Sequence, residues 1–378
     1  MQVELSAAET AARGRFREFV RDRIAPYADR WDRQEKVPRA TIDELRQRGY
    51  LGAPLSEQVG GRGMDAVTYG LLTEELARGC SSVRSLLTVH DMVALTLARW
   101  GSPRLKAELL PRLARGERLG ALAVSEPNVG SDAASVETEA REEDGGVVLR
   151  GRKKWTTFGQ IADVFLVLAR GERGLAAYLV EADAPGLSRR PIAGMTGTRA
   201  SLLAEIELDD CRIPADHLLG RVGFGLSHVI GGTALDHGRY SVAWGSVGIA
   251  QACLDACLDY TAERQQGGAP IRDHQLVRRQ LTEMIASTRA ARLLCYRAAH
   301  LRRQLDPGAA PETWIAKYFA SRTAVRAANA AVQLHGAYGL SESSPVGRYL
   351  RDAKVTEVIE GSTQIQQIFI PEFVLPEL

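Results

Sequence analysis

A chain of 378 residues, 45% of them hydrophobic, exceeds the roughly 250–300 residues at which a single hydrophobic core stops growing, so two or three packed subdomains are expected. Forty-eight Lys and Arg stand against forty-six Asp and Glu, a net charge of +2 with no dense basic run; that balance argues against nucleic acid or an anionic membrane as partner. Cys80, Cys211, Cys253, Cys257 and Cys295 are scattered, and Cys253 with Cys257 has one-turn helical spacing rather than a CxxC pattern, so reduced thiols in a cytoplasmic protein are expected. The opening "MQVELSAAETAARGRF" has no basic region followed by an apolar run, and no segment reaches the ~18 consecutive apolar residues of a membrane span. A soluble protein that stays where it is made is the expectation.

In chain order, the first 119 residues read as helical. "SAAE" spells a capping box from Ser6, and "ARGRFREFVRDRIAPYADRW" spaces its apolar residues three and four apart until Pro26 interrupts. "ATIDELRQRGYLG" and "LKAELLPRLARG" each close on glycine, as helices do. Between 120 and 223 the period shortens. "GGVVLRGRKKWTTF", "ADVFLVLA", "AAYLVEA" and "LLAEIELDDCRI" are short, rich in Val, Ile, Leu and aromatics, and separated by Gly, Pro and Asp turns, which predicts a middle β domain. From 224 to 378 helical periodicity returns over segments too long for strands, predicting a bundle of long antiparallel helices. The fold class is therefore α+β and mainly α, in the order helical, β, helical.

Three segments could carry chemistry. In "ALAVSEPNVGSD", residues 121–132, small residues, a Pro and a Gly free backbone amides and the hydroxyls of Ser125 and Ser131 for close approach to a planar ring or phosphate; the alternative is a plain strand-entry turn. "GRKKWTTFG", residues 151–159, sets Trp155, which can cover a flat cofactor, beside Thr156 and Thr157, whose hydroxyls can donate to it; the alternative is a core Trp. "EVIEGSTQIQQ", residues 357–367, wedges Glu360 between an apolar pair and a Gly-Ser-Thr turn; there the alternative is a short helix begun by Ser362 or Thr363, with Glu360 near its positive end. The seven histidines, His90, His237 and His335 among them, never reach metal-site spacings, so no metal is expected. "GGRGMD" and "VGFGLSH" lack the strand–GxGxxG–helix context of a dinucleotide fold.

Taken in this order and spacing, "SEQVGGRGMD", "SEPNVGSD", "KKWTTFGQIAD" and "PVGRYLRDAKVTEVIEGSTQIQ" resemble the acyl-CoA dehydrogenase family over nearly the whole chain. The resemblance implies an N-terminal helical domain, a middle β domain and a C-terminal four-helix bundle, with FAD at their junction and across a subunit interface of a homodimer or homotetramer. It implies FAD contacts from Val124, Ser125, Trp155 and Thr157, from Ser362 and Gln364 after the acid, and from Arg264, Gln333 and Gly336 toward the partner's cofactor. Ser131 and Arg239 fall at substrate positions, and Glu360 at the base. Some branches carry the base just before the Arg of "DHGRYSVAWG", but that residue is Gly238 here, leaving Glu360 as the matching base.

The implied reaction is α,β-dehydrogenation of an acyl thioester, with Glu360 taking the α-proton and FAD the β-hydride. The acyl handle is CoA or a carrier protein, and an electron-transfer flavoprotein is a possible acceptor. A same-fold oxidase or monooxygenase using O2, or a cofactor-free scaffold, are the rival readings. Three departures from the family pattern stand out: Gly267 in "RQQGG" where an aromatic packs near the cofactor, Ile359 where a Tyr precedes the base, and "FIPEFVLPEL" in place of a basic helical tail. Trp244, one turn beyond Tyr240, is either a cavity-shortening residue or core.

Overall fold

The structure is a computed structural model and describes residues 4–143, 145–373 and 375. The capping box at Ser6 opens α1 (Ala7–Arg23): the Ser6 hydroxyl accepts from the Glu9 amide, and the Glu9 carboxylate accepts from the Ser6 amide. After Pro26 come α2 (Ala28–Gln34) and α3 (Arg39–Gln47), then α4 (Ala66–Gly79), α5 (Ser81–Trp100) and α6 (Pro103–Ala114). The glycine-rich "GGRGMD" serves structure: its Asp65 caps α4 by accepting from the Val67 amide.

The middle of the chain forms an eight-stranded sheet. Its strands are β1 (Gly120–Ala123), β2 (Glu139–Glu143), β3 (Gly146–Thr156), β4 (Val164–Gly171), β5 (Gly174–Glu181), β6 (Leu187–Pro191), β7 (Ala204–Pro214) and β8 (Leu218–Leu219). The order is β6-β7-β3-β2-β4-β5-β8, with β1 parallel to β4. The four strands expected from hydrophobic runs are β3, β4, β5 and β7; β1, β2, β6 and β8 are too short or too polar to stand out by pattern. Register shifts against β7 fall between Leu149 and Gly151 and between Lys153 and Thr156, so β3 kinks where Trp155 adopts φ +64°.

The last third contains α7 (Leu235–Glu263), α8 (Gln275–Arg303), α9 (Ala309–His335) and α10 (Val346–Val358), followed by the short α11 (Thr363–Phe369). A π-helix, Gly225–Ala234, leads into α7. Together they form the one segment long and apolar enough by composition to cross a membrane among the described residues, but 78% of its most apolar window is buried within the chain, so it is a core helix. All five cysteines are buried and free.

Trp244 belongs to the core. It is fully buried, packs edge-on to Tyr240 and Tyr296, and lies so close to α4 that a Cβ on Gly70 would come within 2.3 Å of its ring. Gly70→Ala should therefore overpack this junction and destabilise the protein by about 1–3 kcal/mol in denaturant unfolding; a variant of unchanged stability would mean that α4 and α7 can separate without cost.

Candidate active site

Helix α10 ends at Val358, and the chain then turns through two left-handed residues, Glu360 at φ +58° and Gly361 at φ +86°. For a non-glycine residue that conformation is strained and must be held from outside. Three side chains hold it. The Arg239 Nε of α7 donates to the Glu360 carbonyl at 3.2 Å, the Lys317 Nζ of α9 donates to the Gly361 carbonyl at 2.5 Å, and the Gln366 Nε2 of α11 donates to both, at 3.3 and 3.2 Å. Arg239 is itself stacked 4.0 Å over the Trp314 ring of α9. The helix-start alternative is correct for Ser362, whose hydroxyl accepts from the Ile365 amide and caps α11. The Glu360 carboxyl, by contrast, turns away from that cap.

That carboxyl points between α5 and α7. Its Oε2 is buried and makes no hydrogen bond, and a Cβ at Gly238 would lie 2.3 Å from it and 3.0 Å from the Met92 Cε. Gly238, noted in the sequence only for lacking a proton acceptor, thus provides the space that the acid occupies. Burial pushes the Glu360 pKa up to about 7, against the opposing pull of Arg239, Lys317 and Arg84. A carboxyl poised near neutrality, desolvated and unpartnered, is suited to taking a proton.

Arg84 is the unexpected member of this group. It is only 1% exposed, and its guanidinium has two long hydrogen bonds to hydroxyls, Thr88 at 3.3 Å and Ser81 at 3.5 Å, while Nε has none. No carboxylate pairs with it among the described residues. Burial lowers its pKa to about 10, and Glu360 is the acid whose charge it feels most. Its place follows from how α5 lies on α7: Met92 beside Gly238, the Thr88 hydroxyl 2.5 Å from that of Ser241, and Arg84 against Gly245, where a Cβ would come within 3.1 Å of Arg84 Cδ and Nε. Arg84, Thr88 and Met92 form one four-spaced stripe running toward Glu360. The sequence signal for Arg84 and Lys317 was a single cation inside an otherwise apolar helical stretch.

On the β domain, the Ser125 carbonyl accepts from the Lys154 amide at 2.8 Å, joining the "AVSEP" loop to the kink in β3. Lys153 lies beneath: fully buried, its Nζ bonds Glu126 at 2.6 Å and the Val124 carbonyl at 3.2 Å. Trp155 is 46% exposed, with the Lys154 Nζ 4.7 Å from its ring centre. The neighbouring Thr156 Oγ1 is buried without a partner, and Thr157 is half-buried. Ser131 and Gln364 are exposed, and Ser362 is half-buried.

Arg264, Gln333 and Gly336 are not gathered with these residues. Arg264 follows the far end of α7, 26 residues beyond Gly238, or about 39 Å of helix. The end of α9, with Gln333 and Gly336, meets it there through the stacking of Tyr260 on His335 at 4.3 Å; all three residues are exposed. At Gly267 the chain makes a tight hairpin between Gln265–Gln266 and Ala269–Pro270, and the His274 ring, bonded to the Gln266 carbonyl at 2.9 Å, packs against that turn.

Family models match nearly the whole chain: the acyl-CoA dehydrogenase N-terminal domain over residues 6–117, the middle domain over 121–211 and the C-terminal domain over 225–375. An acyl-CoA dehydrogenase of Bacillus subtilis is 37% identical over 366 residues, covering 95% of this chain and 96% of that protein. The butyryl-CoA dehydrogenase structure from Megasphaera elsdenii superposes with a TM-score of 0.94 at 32% identity, covering 99% of this chain and 100% of that one. A glutaryl-CoA dehydrogenase from Mycobacterium smegmatis, solved in complex with FADH2, superposes with a TM-score of 0.93 at 28% identity, covering 98% and 95%. With three domain models in order and relatives aligned end to end, the chain belongs to the acyl-CoA dehydrogenase family.

Proposed function

We propose that the protein is an FAD-dependent dehydrogenase of acyl thioesters in which Glu360 removes the α-proton. The observation that carries this reading is the Glu360 carboxyl itself, its Oε2 buried and unpartnered and three cations acting on its charge. The residues of the β domain fit a flavin. An exposed Trp155 offers a flat face, the Ser125–Lys154 junction a backbone edge, and the unpartnered Thr156 hydroxyl beside Thr157 a polar contact. Val124, Ser125, Trp155 and Thr157, with Ser362 and Gln364, are the residues that would hold FAD in one chain. Arg264, Gln333 and Gly336, too far away to join them, would serve the cofactor of a second copy. When bound, FAD supplies an acceptor for the β-hydrogen as hydride.

The remaining chemistry belongs to the chain. Glu360 must be ionised to accept the α-proton, and burial strengthens it as a base because its charge is poorly solvated, against the opposing pull of three cations. Its own backbone N–H would donate to the thioester oxygen as negative charge develops, and Ser131 and Arg239 line the substrate side of the site.

Arg84 suggests the acyl group. A buried guanidinium without an acid partner costs several kcal/mol, on the order found for isolated buried charges, and a carboxylate at the distal end of the substrate would offset that. Because the guanidinium bonds Thr88, opposite Ser241, and its Nε faces Gly245, it lies between about 4.5 and 10.5 Å of helix rise beyond Gly238. That spacing suits a monothioester of a short dicarboxylic acid, the substrate class named for the glutaryl-CoA dehydrogenase neighbour.

Four outcomes test this reading. Glu360→Gln should retain FAD and lose most turnover, and wild-type kcat/KM should fall about tenfold per pH unit below roughly 7, where Glu360 becomes protonated; a variant with near-wild-type turnover would remove Glu360 from the role. Gly238→Ala should fold but displace the carboxyl, lowering kcat on the order of 100-fold, read by stopped-flow flavin reduction. Arg84→Met should lower kcat/KM for glutaryl-CoA by about 10- to 100-fold relative to butyryl-CoA, the scale of a lost charged hydrogen bond, whereas equal losses for both substrates would argue for a structural Arg84.

A further inference from the structure

The turn that carries Glu360 is held by hydrogen bonds to two successive carbonyls, and the donors differ in kind. Gln366 is neutral and reaches both carbonyls at more than 3 Å. Arg239 is occupied on its other side by the Gly231 carbonyl, at 3.5 Å, and by the Trp314 face. Lys317 is fully buried in α9, and its bond to Gly361 is the shortest of the four. A buried ammonium normally pairs with a carboxylate, because desolvating it costs several kcal/mol; here the ammonium bonds an uncharged carbonyl one residue beyond the buried acid.

We propose that Lys317 is a positioning residue that locks the Glu360–Gly361 turn in its left-handed form and places a positive charge beneath the base. The inference rests on the assignment of Glu360 as that base. The lock acts through geometry: losing the Lys317–Gly361 bond lets the strained Glu360 relax toward ordinary backbone angles and loosens its carboxyl within the space at Gly238. The charge acts through the field. Burial lowers the Lys317 pKa to about 8, and the Glu360 charge is the main influence holding it up. Glu360 feels Lys317 from α9, Arg239 from α7 and Arg84 from α5; Glu357, on α10, faces Lys317. Of the three cations, Arg84 stands toward the proposed acyl end, while Arg239, the strongest influence on Glu360, and Lys317 bond the two successive carbonyls of the turn.

The test uses the flavin-loaded enzyme and two readouts. Infrared difference spectra follow the Glu360 carboxyl band through pH, assigned by its loss in Glu360→Gln, and kcat/KM is measured over the same range. Flavin content and unfolding temperature check that each variant is folded. In Lys317→Met the carboxyl should titrate ~1 unit higher, the low end of the effect of an adjacent opposite charge, and the acid limb of kcat/KM should move with it, giving about tenfold lower kcat/KM at pH 6. Lys317→Arg should restore the wild-type titration, while Gln366→Leu should lower kcat without moving it. An unmoved band in Lys317→Met, or no recovery in Lys317→Arg, overturns the proposal. If Lys317→Met fails to retain flavin, Lys317→Gln, which keeps a donor without the charge, takes its place, and an unmoved band there counts against the proposal equally. Full turnover in Glu360→Gln would instead defeat the assignment of the base, so the two failures are distinguishable.

Discussion

The proposed site depends on one constraint: the Glu360 carboxyl sits in the contact between α5 and α7 with its Oε2 buried and without a hydrogen-bond partner. Such a group is expensive to bury and readily finds water or a partner if the backbone permits. The fold prevents this by restraining the backbone on either side of the acid rather than the acid itself. Side chains from α7, α9 and α11 bond the carbonyls of residues 360 and 361, and the missing side chain at Gly238 defines where the carboxyl can go. The carboxyl thus keeps a reactive, uncompensated lone pair while the strain of its backbone is borne elsewhere.

The charged residues that precede Glu360 anchor its helix. Arg348 bonds Asp29 at 2.8 Å and Arg351 bonds Asp32 at 2.6 Å, both on α2, while Asp352 accepts from the Thr198 amide of the loop between β6 and β7 at 2.6 Å. Helix α10 is therefore joined to both the N-terminal helices and the β domain, and Ser85 of α5 meets Ser201 at 2.9 Å across the same boundary. Contacts of this kind, low in number but at least partly buried and directional, fix orientation where apolar packing alone would permit sliding. The Lys153–Glu126 pair does the same within the β domain, setting the Val124–Ser125 loop against the kink in β3.

The length of α7 separates two groups of proposed site residues. Its first turns carry Gly238 and Arg239 beside Glu360, and its last residue precedes Arg264, which meets the end of α9. A single cofactor site drawing on both ends of such a helix would need a second copy of the chain, which is how the proposed function uses Arg264.

Local pattern in the sequence determined the order of helical, β and helical parts, the capping box at Ser6, the strands β3, β4, β5 and β7, and the family motifs that single out Glu360, Trp155 and Ser125. These are properties of neighbouring residues: periodicity, turn chemistry and short motifs. What only the tertiary structure decided concerns residues far apart in the chain. Gly238 as the space for the carboxyl, Lys317 and Arg239 as holders of its turn, Arg84 as a cation without a carboxylate partner one to two helical turns away, and Trp244 as core all depend on how α4, α5, α7 and α9 pack. No local pattern encodes that packing, because each of these residues acquires its meaning from a partner 40 to more than 170 positions distant.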